Sequence, residues 1–163
     1  MKPSWRIACT VAPLLAACGG SDGLETDPLR RYTGSWSQCH EISPGRSRED
    51  GLTIAGEGDA QGSSLWLRTF VSKDCTGEVD FVSRSSISLR HRGMTTTPSG
   101  EVVDRVEIAN GGNIFRHLYV IRADDTLYRG MGQISPPSAQ DADGFPRLVD
   151  SVGALSRNPS PPR

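Results

Sequence analysis

The chain has little of what marks most classes of protein. It contains no apolar run of the roughly 20 residues that a membrane-spanning helix needs, and helical periodicity is nowhere sustained. Its 18 basic residues are scattered among 19 acidic ones, which argues against binding to nucleic acid or to anionic lipid by charge. Because only 36% of the 163 residues are apolar and 6% are aromatic, we expect one domain with a modest core.

Motifs for catalysis and for metal binding are also missing. The sequence has no Gly-x-Ser-x-Gly elbow and no Cys-x-x-Cys pair. Its three histidines, His40, His91 and His117, lie far apart and lack the spacing of metal ligands. Residues 141–144, Asp-Ala-Asp-Gly, match part of a calcium loop without its third acid or distal glutamate, so we interpret them as a turn. We therefore expect no enzyme activity, no cofactor and no metal site.

The start of the chain is the most informative part that is present. Lys2 and Arg6 precede the apolar stretch Ile7–Ala17, which is the layout of a secretory signal. Residues 14–18, Leu-Leu-Ala-Ala-Cys, resemble the lipobox of bacterial lipoproteins. The resemblance implies cleavage before Cys18 and lipidation of its sulfur, so that the acyl chains hold the protein on a lipid bilayer. An ordinary signal peptide with an incidental cysteine is the alternative.

The residue after this cysteine bears on the destination of the protein. Gly19, in place of aspartate, implies by resemblance to lipoproteins of two-membrane bacteria that the protein is sorted to the outer membrane and faces the periplasm. We expect residues 18–30, which are mostly small and polar, to form a flexible tether. The predicted organisation is thus a signal peptide over residues 1–17, the tether, a folded domain over residues 31–157 and a disordered proline-rich tail over residues 158–163.

Strand patterns fill the rest of the chain. Apolar and polar residues alternate in runs of five to nine, separated by Gly, Pro, Asn, Asp and Ser. Asn110–Asn113, with two central glycines, predicts a tight hairpin, Asp124 and Asp125 a solvated turn, and Gly93–Gly100 a longer mobile loop. The predicted strands are Tyr32–His40, Gly51–Ala55, Ser64–Val71, Glu78–Arg84, Ser86–Arg92, Val102–Ala109, Ile114–Arg122 and Thr126–Met131.

Short strands divided by turns at regular spacing predict an all-β fold. We favour a single antiparallel β-barrel of eight strands or nearly so, since closure removes the exposed edges of a sheet. A β-sandwich is the alternative.

Two cysteines remain once the signal is removed and Cys18 is lipidated. We expect a disulfide between Cys39 and Cys75, because it is the one internal pairing left in an oxidising compartment. Two free thiols are one alternative. A metal site is the other, although His40 beside Cys39 has no second partner at ligand spacing.

An aromatic motif near the start of the domain indicates the type of barrel. Gly34 and Trp36 form a Gly-x-Trp pair that is similar to the opening motif of lipocalins and related small barrels. Glycine lets the chain bend across the barrel floor, and tryptophan closes that floor with a large apolar surface. The resemblance implies a lipocalin-like barrel in which an arginine near the end of the chain packs across this ring. Arg157 is the candidate for that cation–π contact.

The opening of the domain also resembles a second group. Residues 32–39 match the aromatic-x-Gly-x-Trp-x-x-Cys stretch of small bacterial lipoproteins, most of which lack an assigned activity. We expect a barrel that binds one small apolar ligand in a pocket lined by residues such as Leu67, Phe81 and Leu118. The alternative is an envelope interaction or inhibitor module, similar to small barrel lipoproteins that block lysozymes, which predicts a filled core and a protruding polar loop.

One histidine is a candidate for contact with such a ligand. His117 alternates with Phe115 and Tyr119 on one face of a predicted strand. A partly buried or exterior position is the commoner one for a strand histidine, so we favour that position for His117 over contact with a ligand.

Overall fold

A computed structural model describes residues 27–56, 62–132 and 136–158 of the protein. The predicted signal peptide, the predicted lipidation site Cys18, most of the tether and residues 159–163 of the predicted tail lie outside these ranges. No helix within them has the length and apolar character that crossing a membrane requires.

Eight antiparallel strands in these ranges form one closed barrel. Each strand pairs with its neighbours in sequence, and the last strand returns to the first. The prediction of an all-β, eight-stranded antiparallel barrel is therefore confirmed. The strands are β1 (Gly34–Ser43), β2 (Arg46–Ile54), β3 (Ser63–Phe70), β4 (Val79–Thr96), β5 (Val102–Asn110), β6 (Asn113–Ile121), β7 (Thr126–Met131) and β8 (Asp150–Arg157).

Four strands differ by more than one residue from the sequence prediction, and the first of them, β1, spans Gly34–Ser43 rather than Tyr32–His40. β4 runs for 18 residues, so it joins two predicted strands and takes in residues 93–96 of the predicted loop. The turn that follows is confined to residues 97–101, where the Thr97 N–H donates to the Glu101 carbonyl at 2.9 Å. β2 begins at Arg46 rather than at Gly51, and β8 is missing from the predicted strands.

The predicted hairpin at Asn110–Asn113 is confirmed. The two asparagines pair with each other, and Gly111 and Gly112 form a two-residue loop with φ values of 55° and 85°. A type I′ turn needs positive φ at both central positions, and glycine supplies it without steric cost.

The main apolar core fills one end of the barrel, which we call the closed end. Trp36 is fully buried there, and the short 3₁₀ helix Arg30–Tyr32 brings Tyr32 into the same core. The indole N–H of Trp36 donates to the Tyr32 carbonyl at 2.8 Å. Leu29 is 3% exposed, so this residue of the predicted tether belongs to the folded domain. The core comprises Leu29, Tyr32, Trp36, Leu52, Ile54, Ile87, Leu89, Val106, Ile108, Tyr119, Leu127 and Leu155.

A buried carboxylate fastens the 3₁₀ helix to the barrel. Asp104 is 1% exposed and accepts hydrogen bonds from the Tyr32 hydroxyl and from the guanidinium of Arg31. His91 lies 2.9 Å from the same carboxylate. Burial raises the pKa of Tyr32, and the bond to Asp104 adds to this rise, so the phenol stays protonated as a donor. His91 therefore contacts a structural carboxylate at the closed end.

Arg157 closes the seam between the last strand and the first. Its guanidinium carbon lies 4.2 Å from the centroid of the Trp36 ring, and it donates to the Thr33 carbonyl at 3.2 Å. It also binds the carboxylate of Asp125 at 2.8 and 3.1 Å. Asp125 occupies the β6–β7 turn with a φ of 54°. Because β1 and β8 pair through only two residue pairs in the described ranges, this arginine reinforces a short seam.

We expect Arg157→Ala to lower the free energy of unfolding by about 1–2 kcal/mol, because the cation–π contact is lost and the Thr33 carbonyl loses a donor. Asp125→Asn is the matched control, since asparagine tolerates positive φ and leaves the contact with Trp36 in place. An exposed ion pair contributes little, so the control should unfold at nearly the same urea concentration as the wild type. Equal losses in urea unfolding of the two variants would count against the contact.

The disulfide between Cys39 and Cys75 is confirmed. The two Cα atoms are 6.0 Å apart, and the bond joins β1 to the connection between β3 and β4. The Cys75 N–H donates to the Ser47 hydroxyl of β2 at 2.8 Å. We call this connection, residues 71–78, the hairpin tip. The bridge therefore fixes the hairpin tip against the neighbouring strands.

Candidate functional site

The end of the barrel opposite the apolar core is incompletely closed. β3 pairs with β4 over residues 79–87, but β5 joins β4 only from Ser88 onward. In the described part of the chain, residues 79–87 thus have strand partners on one side only. Residues 79–86 are all exposed. This gap, between β4 and the β5–β6 hairpin, forms the mouth of the barrel.

A cavity of about 500 Å³ lies inside this mouth. Residues of seven strands, β1 to β7, line it, and most of them occupy the inward-facing positions that strand alternation sets once Trp36 and Leu52 point to the interior. The volume falls within the range of about 300–1,000 Å³ that is typical of sites for small ligands. The lining includes Gln38, Arg48, Asp50, Leu65, Leu67, Ser83, Ser85, Ile108, Asn110, Phe115, His117, Arg129 and Met131.

The charged side chains and most of the large apolar side chains of this lining come from different strands. Leu65 and Leu67 of β3 face the cavity together with Ile108 and Phe115 of the β5–β6 hairpin. The charged groups come from β2 and β7. The cavity therefore has an apolar wall and a charged wall.

The charged wall carries two guanidinium groups and one carboxylate. Arg48 binds Asp50 through Nε and a terminal nitrogen, each at 3.0 Å. Arg129 is 8% exposed. Burial lowers the pKa of Arg129, while electrostatic interactions with Tyr119 and Asp50 oppose that change. Because an arginine in a protein stays protonated, these three side chains carry one net positive charge among the lining residues that the structure describes.

His117 lies deep in the cavity beside Arg129. It is 4% exposed, and its Nδ1 is buried without a hydrogen-bond partner. Burial lowers the pKa of His117 to about 3, and the charge of Arg129 adds to the effect. The imidazole is therefore neutral at physiological pH. A buried polar atom without a partner costs about 1–3 kcal/mol, so a ligand group that bonds Nδ1 would be stabilised.

The hydroxyl of Tyr119 is a second buried polar atom of this kind. It too lacks a hydrogen-bond partner, and Tyr119 pairs with Arg129 across β6 and β7. The ring packs edge-on against His117, with 5.9 Å between the ring centroids. Burial raises the pKa of Tyr119 to about 12, so the hydroxyl remains neutral. Two buried polar atoms next to the charged wall, His117 Nδ1 and the Tyr119 hydroxyl oxygen, therefore have no hydrogen-bond partner among the described residues.

The low pKa of His117 predicts a loss of stability in mild acid. The unfolded chain takes up a proton near the ordinary histidine value of 6.5 and the folded protein does so only near 3, so stability falls as the pH drops below 6.5. Between pH 7 and pH 5 the free energy of unfolding of the wild type should fall by about 2 kcal/mol more than that of His117→Gln. His40→Gln, at an exposed histidine, is the control. Parallel stability–pH curves for wild type and His117→Gln in urea unfolding would contradict the prediction.

The structure corrects two of the predicted pocket residues. Leu67 lines the cavity. Phe81 is 55% exposed, because it lies on the part of β4 that β5 does not cover. Leu118 is fully buried but faces away from the cavity, where it packs with Val103 and Phe145 in a second, smaller core.

The structure also corrects the expectation for His117. Phe115 and His117 share the inward face of β6 and both line the cavity. His117 therefore lies where contact with a ligand is possible, which is the less common position for a strand histidine. The sequence favoured a partly buried or exterior position, whereas His117 is 4% exposed and lines the cavity.

The other predicted polar candidates lie elsewhere. His40 sits 3.6 Å from Asp50 at the mouth. Asp141 and Asp143 form the predicted turn on the outside of the barrel, and both bind the guanidinium of Arg105, at 2.7 and 2.8 Å. Within the described ranges, no group of three His, Cys, Asp or Glu side chains is placed to hold a metal ion.

Sequence reasoning missed the charged wall. A usable signal is present in β7, because Leu127, Arg129 and Met131 share one face of a correctly predicted strand. An arginine between two apolar residues on an inward face indicates either a paired core charge or a ligand contact. β2 offers no such signal, since it was predicted to begin only after Arg48 and Asp50.

The hairpin tip is the second feature exposed near the mouth. Its charged side chains, Lys73, Asp74 and Glu78, are exposed. The Thr76 N–H donates to the Ser72 hydroxyl at 3.1 Å, and the Thr76 hydroxyl donates to Asp74 at 2.7 Å. Together with the disulfide, these bonds give the tip a defined conformation.

Comparison of the chain with family models, with curated proteins and with solved structures found no match. Inferences about its function therefore rest on the residues and on the geometry of the barrel.

Proposed function

We propose that this protein is a binding barrel of the bacterial cell envelope that holds one small molecule in the cavity behind its mouth. The open cavity of about 500 Å³, lined from several strands, is the observation that carries the proposal. A carrier requires unfilled space, whereas an inhibitor that acts through a loop alone would have a filled barrel.

The proposed location is the periplasmic face of the outer membrane. The lipobox-like residues 14–18 and Gly19 support it, and a disulfide is typical of an oxidising compartment. Leu29 packs into the closed end, so a tether that precedes it leaves the barrel on the side away from the mouth. A protein anchored through acyl chains on Cys18 would keep its mouth accessible to a ligand. Its partners are then the lipid bilayer and the ligand, with no role for nucleic acid.

A second candidate function is an envelope interaction or inhibitor module. The ordered, charged and exposed hairpin tip favours it, because a protruding loop with polar ends is what such a module presents to a partner protein. The two candidate functions depend on different residues, those of the hairpin tip and those of the cavity. Substitutions of Lys73 and Asp74 should abolish partner binding in the second and leave ligand binding unchanged in the first.

Native mass spectrometry of the protein extracted from its own envelope tests the proposal. The wild type should carry one small molecule of reproducible mass. Ser85→Trp, which projects a ring into the mouth from an inward position, should remove it. Ser86→Trp, on the opposite face of the same strand, is the matched control and should retain it. A wild type that carries nothing, or a molecule that Ser85→Trp retains equally, would refute ligand binding in the cavity.

The anchor needs a separate experiment. Metabolic labelling with an alkynyl palmitate should mark the wild type and leave Cys18→Ser unmarked, and only the wild type should fractionate with membranes. Absence of label on the wild type would refute the lipid anchor without bearing on the cavity.

A further inference from the structure

We propose that the ligand is an uncharged amphipathic molecule, whose hydroxyl group bonds the imidazole of His117 and whose apolar part lies against β3 and the β5–β6 hairpin. This inference rests on the proposed function, since it assigns a chemical class to the molecule in the same cavity. It adds one polar group to the purely apolar ligand that the sequence predicts, and it makes His117 the residue that selects the ligand.

The ionised groups of the lining have interactions of their own. Arg48 binds Asp50 through two nitrogens, each at 3.0 Å. Arg129 also has an interaction of its own, and it lies in register with Asp150 of β8. An ionised group that leaves water loses a large free energy of solvation unless it finds an opposite charge and hydrogen bonds. An uncharged molecule avoids that loss, so the lining favours it over an ion.

His117 provides a polar atom that the barrel itself does not use. In the described part of the chain, three buried side-chain atoms lack a hydrogen-bond partner, namely Arg105 Nε, His117 Nδ1 and the Tyr119 hydroxyl oxygen. Of these three residues, His117 is the one that lines the cavity. Because a buried polar atom without a partner destabilises a protein, a ligand that bonds Nδ1 gains affinity from that contact.

The neutral state of His117 favours a hydroxyl as the polar group of the ligand. Burial lowers the pKa of His117 to about 3, so the imidazole is neutral at physiological pH. A neutral imidazole nitrogen is a donor in one tautomer and an acceptor in the other. A hydroxyl group donates and accepts, so it can bond Nδ1 in either tautomer. A carbonyl oxygen can bond the protonated nitrogen only, and a hydrocarbon can bond neither form.

The apolar wall and the volume limit the rest of the molecule. Leu65, Leu67 and Phe115 offer apolar contact but no charge. The cavity equals the liquid volume of about 17 water molecules. A chain or ring system with on the order of 15 non-hydrogen atoms therefore fits, whereas a two-chain phospholipid does not.

Calorimetric titration of Cys18→Ser protein with three probes of one chain length tests the class of ligand. Octan-1-ol, octanoate and octylammonium share their apolar part and differ in charge. At neutral pH we expect octan-1-ol to bind at least about tenfold more tightly than either ion. Equal or tighter binding of octanoate or octylammonium would overturn the uncharged class and leave the cavity as a binding site. If none of the three binds, the inference also fails, and the native mass measurement decides whether the proposed function fails with it.

Substitution of His117 locates the hydroxyl group of the probe. His117→Phe removes the polar atoms and keeps an aromatic ring, so it should weaken octan-1-ol at least about tenfold, while 1-chlorooctane, which has no hydroxyl group, should change by less than about threefold. His40→Phe, at a histidine that is not among the lining residues, is the matched control and should change neither probe. Unchanged affinity for octan-1-ol in His117→Phe, or equal weakening of both probes, would overturn the placement of the hydroxyl group.

Nitrogen NMR of the Cys18→Ser protein gives a second test that does not depend on the folding of His117→Phe. Octan-1-ol should shift the Nδ1 resonance of His117, because a new hydrogen bond changes the surroundings of that nitrogen. 1-Chlorooctane should shift it much less. Equal shifts with the two probes would overturn the contact between the hydroxyl group and His117.

Discussion

Removal of the disulfide should cause one of the largest losses of stability in this barrel. We expect the double substitution Cys39→Ala with Cys75→Ala to lower the free energy of unfolding by about 3 kcal/mol, against an upper figure of roughly 4 kcal/mol from the chain-entropy model for a loop of about 37 residues. The melting temperature should fall by about 10 °C. The physical cause is the larger number of conformations of an unlinked unfolded chain.

Reduction provides the control for this prediction. Dithiothreitol should lower the melting temperature of the Cys18→Ser parent to that of the double variant and should leave the variant itself unchanged. A difference of less than about 2 °C between parent and variant would mean that the bridge adds little to the stability of the barrel.

Addition of one methyl group at Gly51 should have an effect of similar size. Gly51 pairs with Trp66 across β2 and β3, on the face opposite to Leu52 and Leu65. A Cβ atom on Gly51 would overlap the six-membered ring of Trp66, which is 4% exposed. The indole N–H donates to the Thr53 hydroxyl at 3.2 Å. Gly51→Ala must therefore displace the whole ring, and we expect a loss of about 2–3 kcal/mol.

A double-mutant cycle separates this clash from the backbone effect of alanine. In a Trp66→Leu background the ring is gone, so Gly51→Ala should change the free energy of unfolding by less than about 0.5 kcal/mol. The fluorescence emission of Gly51→Ala should also shift to longer wavelength, as Trp66 becomes solvated. The same loss of stability in both backgrounds would show that overlap with the ring is not the cause.

The parts of the fold that were predictable from sequence lie where one face of a strand is buried in the apolar core. β6 and β7 alternate apolar inward residues with solvated ones, and both were predicted within one residue of their bounds. The turn between β5 and β6 was predictable because it needs positive φ values at two adjacent residues, and Gly111 and Gly112 adopt such values readily. The disulfide followed from the small number of cysteines.

Two of the parts that were missed, in β2 and β4, lie at the mouth. Residues 46–50 of β2 read Arg-Ser-Arg-Glu-Asp and contain no apolar residue. Their inward face lines a polar cavity and their outward face is polar as well, so no alternation of apolar and polar residues marks them as a strand. Arg84, Ser85 and Ser86 of β4 suggested a break between two strands for the same reason. Where water or a ligand replaces an apolar core, the alternation that marks a strand disappears. The failure of the prediction thus coincides with the candidate site.

The cavity itself could not be predicted from the sequence. Its lining comes from residues far apart along the chain, and only the closed pairing of eight strands brings Asp50, Phe115 and Arg129 around one space. Local patterns fix the direction of each side chain but not which strands meet across a barrel.

A crystal structure of the protein purified from its own envelope tests the central claim most directly. The account predicts electron density for one bound molecule in the cavity, between Leu67, Phe115 and Arg129. A cavity that holds only ordered water, or one closed by its own side chains, would contradict a ligand-binding barrel.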